Sequence, residues 1–237
     1  MNAFYLKLLC MILMLLEHIG SFIEKLNIGD KYILYSFYTG RIVAPIFTFL
    51  TVESYFKTSS FKKYISRMIF FAFFTMFGSN LIIFIFSYKE SLKDFNFIYN
   101  LLNPLGHNIF LSYASGLLIL KSIEKARKQK VFYFVILLLL LLSIFTEGNI
   151  IILFMYLIFY YSYSNKKKLI IYYTLLCIFM LILFLTKNLD NYQFLMIFAL
   201  PFIISYDGKR GYNIKYLFYI FYPLHIWILF LLSLYWR

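Results

Sequence analysis

Apolar runs of about twenty residues, parted by short clusters of charged and polar positions, repeat along the whole chain. A helix needs about 20 apolar residues to cross the hydrocarbon core of a bilayer. Windows of that kind place spans near 4–24, 36–56, 65–87, 106–121, 131–146, 148–164, 168–187, 191–206 and 216–236. The pattern therefore predicts an all-α fold, a polytopic helical membrane protein with about nine transmembrane helices in one bundle. The polar break Thr146-Glu147-Gly148-Asn149 is short enough that its two flanking runs also fit one long tilted span or a re-entrant hairpin, giving eight or ten. No Pro/Ser/Gly-rich tract separates two cores, so residues 1–237 read as a single domain. Internal repeats are not visible, which weighs against an inverted-repeat transporter.

Composition agrees and adds orientation. Hydrophobic residues make up 63% of the chain and charged residues 14%, well below the usual quarter, which excludes an ordinary soluble domain. The 30 Phe and 23 Tyr belong to a general compositional bias, so no single aromatic carries much weight. The net charge of +13 does not point to nucleic acid, because the bases fall in short runs between the apolar spans. With the N-terminus cytoplasmic, one set of alternate loops holds 15 Lys and Arg and the opposite set six, as the positive-inside rule requires. The C-terminus is then outside, and so is the loop from Tyr88 to Leu105. Lys121 to Lys130 reads as a helical cytoplasmic extension, either a solvated face or a contact for anionic lipid headgroups. Glu17-His18 stands where a signal peptide would carry its small-residue cleavage site, so the first run reads as an uncleaved span. Cys10 and Cys177 sit inside apolar runs, which supports neither a disulfide framework nor a cysteine metal site.

Ionisable residues inside spans are expensive and by default mark a site. Glu17 and His18 interrupt the outer half of the first span; adjacent on one helix, they point about 100° apart, so the carboxylate tunes the imidazole only obliquely. Arg41 opens the second span, either snorkelling to headgroups or turned inward as an anion clamp. Glu53, near the inner end of that span, is a second buried acid or an interfacial one. His107 opens the fourth span and Glu147 lies in the turn between the fifth and sixth, each readable as an ordinary helix-end residue. Together His18, Arg41, His107 and Glu147 reach the same membrane side, a coincidence that helix ends also produce by default. His225 lies mid-span after Pro223, whose missing N–H frees a carbonyl; the imidazole either satisfies backbone or lines a polar interior. No His-Glu-x-x-His pair, Gly-rich phosphate loop or Gly-x-Ser-x-Gly occurs, so metal, nucleotide and classical serine hydrolase chemistry find no support.

The run Leu8 to Gly20 ending in Glu-His-Ile-Gly, then Gly40-Arg41-Ile42-Val43-Ala44-Pro45 with Glu53 and Lys63-Tyr64, resembles the TraX family. Tyr206-Asp207-Gly208-Lys209-Arg210-Gly211 and Lys215 to His225, closing in Tyr-Pro-Leu-His, resemble its C-terminal signature, whereas Val131 to Leu200 matches in hydropathy alone. The resemblance implies a multi-span acyltransferase of the bacterial cytoplasmic (inner) membrane, moving an acyl group, acetyl above all, from acyl-CoA to an amine or hydroxyl. The acceptor it leaves open is a pilin, a glycan or a cell-wall sugar. His18, Arg41 and His225 fall on the family's histidine, Gly-Arg arginine and Tyr-Pro-x-His histidine; Glu17 departs, since the family usually has Asp there. His18 is the expected general base with Glu17 its helper. Arg41, His107, His225, Glu147 and Glu53 are the expected substrate contacts, with His107 or His225 holding the thioester oxygen or the acceptor. Lys62, Lys63, Lys209 and Arg210 are expected for the CoA phosphates, although positive-inside topology alone also explains them. Acyl-CoA is cytoplasmic, so its pantetheine arm would have to thread between helices, or the acyl group be relayed. The competing expectations are a transporter or flippase whose His/Glu/Arg cluster handles protons or a headgroup, and a non-catalytic partner in surface assembly.

Overall fold

Every regular element among the described residues is a helix. The structure, a computed structural model, describes residues 1–25, 36, 38–89, 108–146, 149–187, 192–213 and 215–235. In order they form α1 (Ala3–Lys25), α2 (Val43–Lys57), α3 (Phe61–Lys89), α4 (Ile109–Ala126), α5 (Val131–Ile144), α6 (Asn149–Tyr161) and α7 (Lys166–Lys187). A 3-10 helix (Tyr192–Ala199) then runs into the short α8 (Leu200–Ile204), and α9 (Lys215–Tyr235) follows.

Most of these elements follow the apolar runs to within a few residues; α2 starts seven residues late, one run differs in kind, and the break at Thr146 falls where two separate spans were expected. The run expected at 191–206 is a tight 3-10 helix that becomes α-helical only near Pro201, whose fixed φ and missing N–H suit the first turn of α8. At Thr146 the chain does break: α5 ends at Ile144 and α6 begins at Asn149, so the two runs are separate helices. Among the described residues three stretches are long and apolar enough to cross a membrane, Ala3–Gly20, Phe61–Ile85 and Lys166–Thr186. Val131–Ile144, Ile150–Tyr161, Tyr192–Ile204 and Tyr216–Leu232 are shorter apolar stretches beside them.

The bundle is apolar outside and carries its polar groups within. On α5 only Ser143 is buried, while Val131, Phe134, Leu137, Leu138 and Leu141 are at least half exposed. Such a sheath is unfavourable against water and is the surface a lipid-embedded bundle presents. Inside, hydroxyls return their hydrogen bonds to the backbone, as hydrocarbon surroundings require. Thr48 Oγ1 donates to Ala44 O at 2.7 Å, and Thr51 Oγ1 lies 2.7 Å from Tyr156 Oη, which donates to Tyr113 O. Close helix approach rests on glycine, for a Cβ at Gly116 would overlap the Tyr156 ring and one at Gly78 the Trp227 ring.

Helix α2 is the central element, in contact with α1, α4, α6, α8 and the 3-10 helix, and eight of its side chains are buried. Helix α9 closes the other side against α1 and α3. One end of the bundle is fastened by backbone bonds: Ala3 N donates to Lys209 O (2.9 Å) and Asp207 N to Met1 O (3.1 Å). Gly208 and Gly211 take the left-handed conformation this segment needs (φ 77° and 69°), and at Gly211 any side chain would also strike Asn2. Lys57 Nζ donates to Gly208 O at 2.7 Å, so the N-terminus, the end of α2 and the Tyr206–Gly211 segment lie at one end.

Candidate functional site

A cavity of about 660 Å³ runs inside this bundle between α1, α2, α3, α4, α6 and α9. Its wall follows helical stripes. From α1 it takes Ala3, Lys7, Met14 and His18, which recur at three- and four-residue spacings or their sum, and from α2 it takes Ala44, Phe47, Thr51 and Ser54. Ala3 borders one end and His18 the other, fifteen residues apart, so the cavity spans about 22 Å at 1.5 Å rise per residue.

The far end gathers Glu17, His18, Gly40, Arg41 and Gln193. Gly40 is buried against Glu17, and a Cβ there would overlap the Glu17 carboxylate, so only glycine admits that carboxylate to its place. Arg41 Nη1 donates to Gln193 Oε1 at 3.3 Å, which ties the turn before α2 to the 3-10 helix, while its buried Nε has no hydrogen-bond partner among the described residues. His225 from α9 stands behind His18 rather than in the wall: the two rings meet edge to face with centroids 4.9 Å apart. His225 is 5% exposed, and its Nδ1 donates to Phe221 O at 2.7 Å. The acceptor carbonyl is thus that of the residue one turn back, not the Tyr219 carbonyl that Pro223 leaves without a helical donor.

The near end is basic. Lys7, Lys57, Arg67 and Arg210 border the cavity with Tyr64, Tyr206, Phe218 and Tyr219. Lys7 Nζ sits 5.1 Å from the Phe218 ring centroid, the guanidinium carbon of Arg67 lies 6.0 Å from that of Tyr64, and Arg67 Nε is buried without a hydrogen-bond partner among the described residues. Glu53 is 9% exposed and is paired with Lys57, so it balances one of these four cations.

Of the residues expected from the sequence, Glu17, His18, Arg41, Glu53 and Arg210 border this one cavity, and His225 packs on His18. Lys62, Lys63 and Lys209 are exposed and outside the wall. His107 and Glu147 lie outside the described residues, as does the segment 90–107. Lys7, Lys57 and Arg67 are wall residues that the sequence reading leaves out. The signal for Lys7 was present, because eleven residues separate it from His18 and three helical turns bring both to one stripe.

An all-helical bundle with a lipid-type exterior and an internal chamber, cationic at one end and lined by carboxylate, imidazole and guanidinium at the other, defines a helical membrane protein with a polar internal site. The chain belongs to the TraX protein family, whose sequence model matches residues 3–233. No curated protein and no solved structure matches it.

Proposed function

We propose that this protein is an integral membrane acyltransferase that moves an acetyl group from acetyl-CoA to an amine or hydroxyl of an exported acceptor, a pilin or a glycan. The observation that carries this reading is the continuity of the cavity, with four cations toward the end that holds the N-terminus and His18 at the other, about 16 Å along α1 from Lys7. A donor with a phosphorylated head and a long neutral arm ending in a thioester fits such a chamber head-first at the basic end. The same continuity favours threading over a relay as the route from a cytoplasmic donor to a far-side acceptor.

The orientation belongs to the proposal. The protein is a multi-pass component of the bacterial cytoplasmic membrane, with its N-terminus and the lysine-rich loops in the cytoplasm. In that frame acetyl-CoA enters beside Lys7, Lys57, Arg67 and Arg210. At the far end a nitrogen of His18 takes the proton of the acceptor N–H or O–H as that atom attacks the thioester carbonyl. The C–S bond breaks, and the leaving thiolate receives the proton from His18, which regenerates the neutral imidazole and releases CoA-SH. Arg41 provides positive charge near the developing oxyanion, and Glu17 holds its place beside Gly40 to orient the histidine side of the chamber.

The test is acetyl transfer from labelled acetyl-CoA by the purified protein. Wild type should release CoA in an acceptor-dependent or hydrolytic reaction, and His18→Ala should lower turnover by about 100-fold or more. Wild-type turnover in His18→Ala removes the base. A protein that neither binds CoA nor cleaves its thioester behaves as the transporter reading requires.

A further inference from the structure

The acyltransferase reading leaves His225 with no contact to the chamber, although it is the most enclosed histidine of the described residues. Its ring is held on every side. Phe221 stacks on it with centroids 4.7 Å apart and planes 12° from parallel, Tyr222 meets it edge-on at 5.8 Å, and His18 meets it at 4.9 Å. A carbonyl oxygen only accepts, so the 2.7 Å contact to Phe221 O places a proton on Nδ1. In the neutral ring Nε2 is then an acceptor, and this atom is buried with no partner among the described residues. Buried acceptors are nearly always satisfied, and the fixed ring cannot turn away to find water.

We infer that His225 is a positioning residue for His18: its Nε2 accepts an N–H of the His18 imidazole and so selects the tautomer whose other nitrogen faces the chamber as the base. This rests on the acyltransferase reading for its consequence but not for its geometry. Throughout the transfer His225 keeps its Nδ1 proton on Phe221 O and gains or loses none; the travelling proton goes from acceptor to His18 to thiolate. The logic is that of a base oriented by a second group, here a neutral imidazole in place of a carboxylate. It also excludes His225 from donating to the thioester oxygen, since Nε2 in this tautomer carries a lone pair and the Nδ1 proton is held by Phe221 O.

Two measurements test this. In acetyl transfer, His225→Phe and His225→Asn should lose turnover roughly 100-fold with KM for acetyl-CoA unchanged, because only orientation of the base is removed. His225→Gln, whose amide oxygen reaches the position of Nε2, should recover at least about tenfold of that loss. Full turnover in His225→Phe, or a Gln variant as inactive as Phe, overturns the assignment. Independently of any activity, nitrogen-15 NMR of histidine-labelled protein in lipid should show His225 protonated at Nδ1 alone and His18 in one tautomer, with both His18 tautomers populated in His225→Phe. A mixed His18 population in the wild type overturns the inference even if transfer is observed. A single His18 tautomer in a protein without transferase activity sustains the geometry and removes only the proposed reaction.

Discussion

Gly40 and Glu17 share a volume that a single methyl group would fill. The side chain that gives way to a Cβ at Gly40 is the far end of a glutamate, which is flexible, so Gly40→Ala should fold while displacing the carboxylate. We expect acetyl transfer to fall on the order of tenfold in Gly40→Ala and by a similar factor in Glu17→Ala. In the double variant the two losses should not add, because both remove one thing, the carboxylate beside Gly40 at the His18 end of the chamber. Additive losses in that double-mutant cycle would separate Gly40 from Glu17. At this scale the Gly-Arg pair has two distinct duties: glycine makes room for the acid of α1, and Arg41 reaches across to Gln193.

Among the elements, the end of α4 shows how charge fastens helices where the bundle meets water. Glu124 accepts from Lys121 Nζ at 2.7 Å and from Tyr160 Oη at 2.9 Å, which joins α4 to α6. Partial burial pushes its carboxyl up, but the hydrogen bonds from Lys121 and Tyr160 outweigh that and hold it below the usual carboxylate range. A depressed carboxyl contributes stability above its unfolded value, about 4.3, and loses it as pH falls through the lower folded value. Thermal unfolding should therefore show Glu124→Gln less stable than wild type at pH 7, with the two midpoints converging as the pH drops below about 4. A pH-independent difference would assign the effect to packing. The helices themselves are legible from hydropathy because a twenty-residue apolar run has few other folds in lipid. The 3-10 helix at Tyr192–Ala199 is not, since over eight residues periods of 3.0 and 3.6 place apolar side chains alike. His18 and Arg41 are legible as ionisable groups inside apolar runs, and their meeting in one chamber is what the structure adds. Lys57 and Arg67 escape such a reading because lysine and arginine near span ends are what orientation alone demands, and Lys7 is marked only by sharing the stripe of His18. Only the rotation of each helix separates a cation facing headgroups from one facing a cavity.

That distinction divides the basic residues of the whole molecule into two sets with different expected behaviour. Lys62, Lys63 and Lys209 are exposed and outside the cavity wall, where a charge orients the chain but is screened by water and salt. Lys7 and Arg67 border the chamber beside aromatic rings, where the partial loss of water strengthens any contact with an anionic ligand. A charge-assisted hydrogen bond to a phosphate is worth about 1.5–3 kcal/mol, which converts to roughly 10- to 100-fold in affinity. Lys7→Gln and Arg67→Gln should therefore raise KM for acetyl-CoA by about 10-fold or more at unchanged turnover, whereas Lys62→Gln and Lys63→Gln should stay within about twofold. Competition by free CoA against a labelled donor reads the same ratio without chemistry. The outcome also fixes which way the donor lies. If the wall cations hold the phosphates, the pantetheine arm runs from the level of Lys7 to that of His18, about 16 Å along α1. If instead the loop lysines alone shift KM, the phosphates sit outside the bundle and the arm falls short of His18, so the acetyl group has to be carried to the far end by a second nucleophile within the chamber.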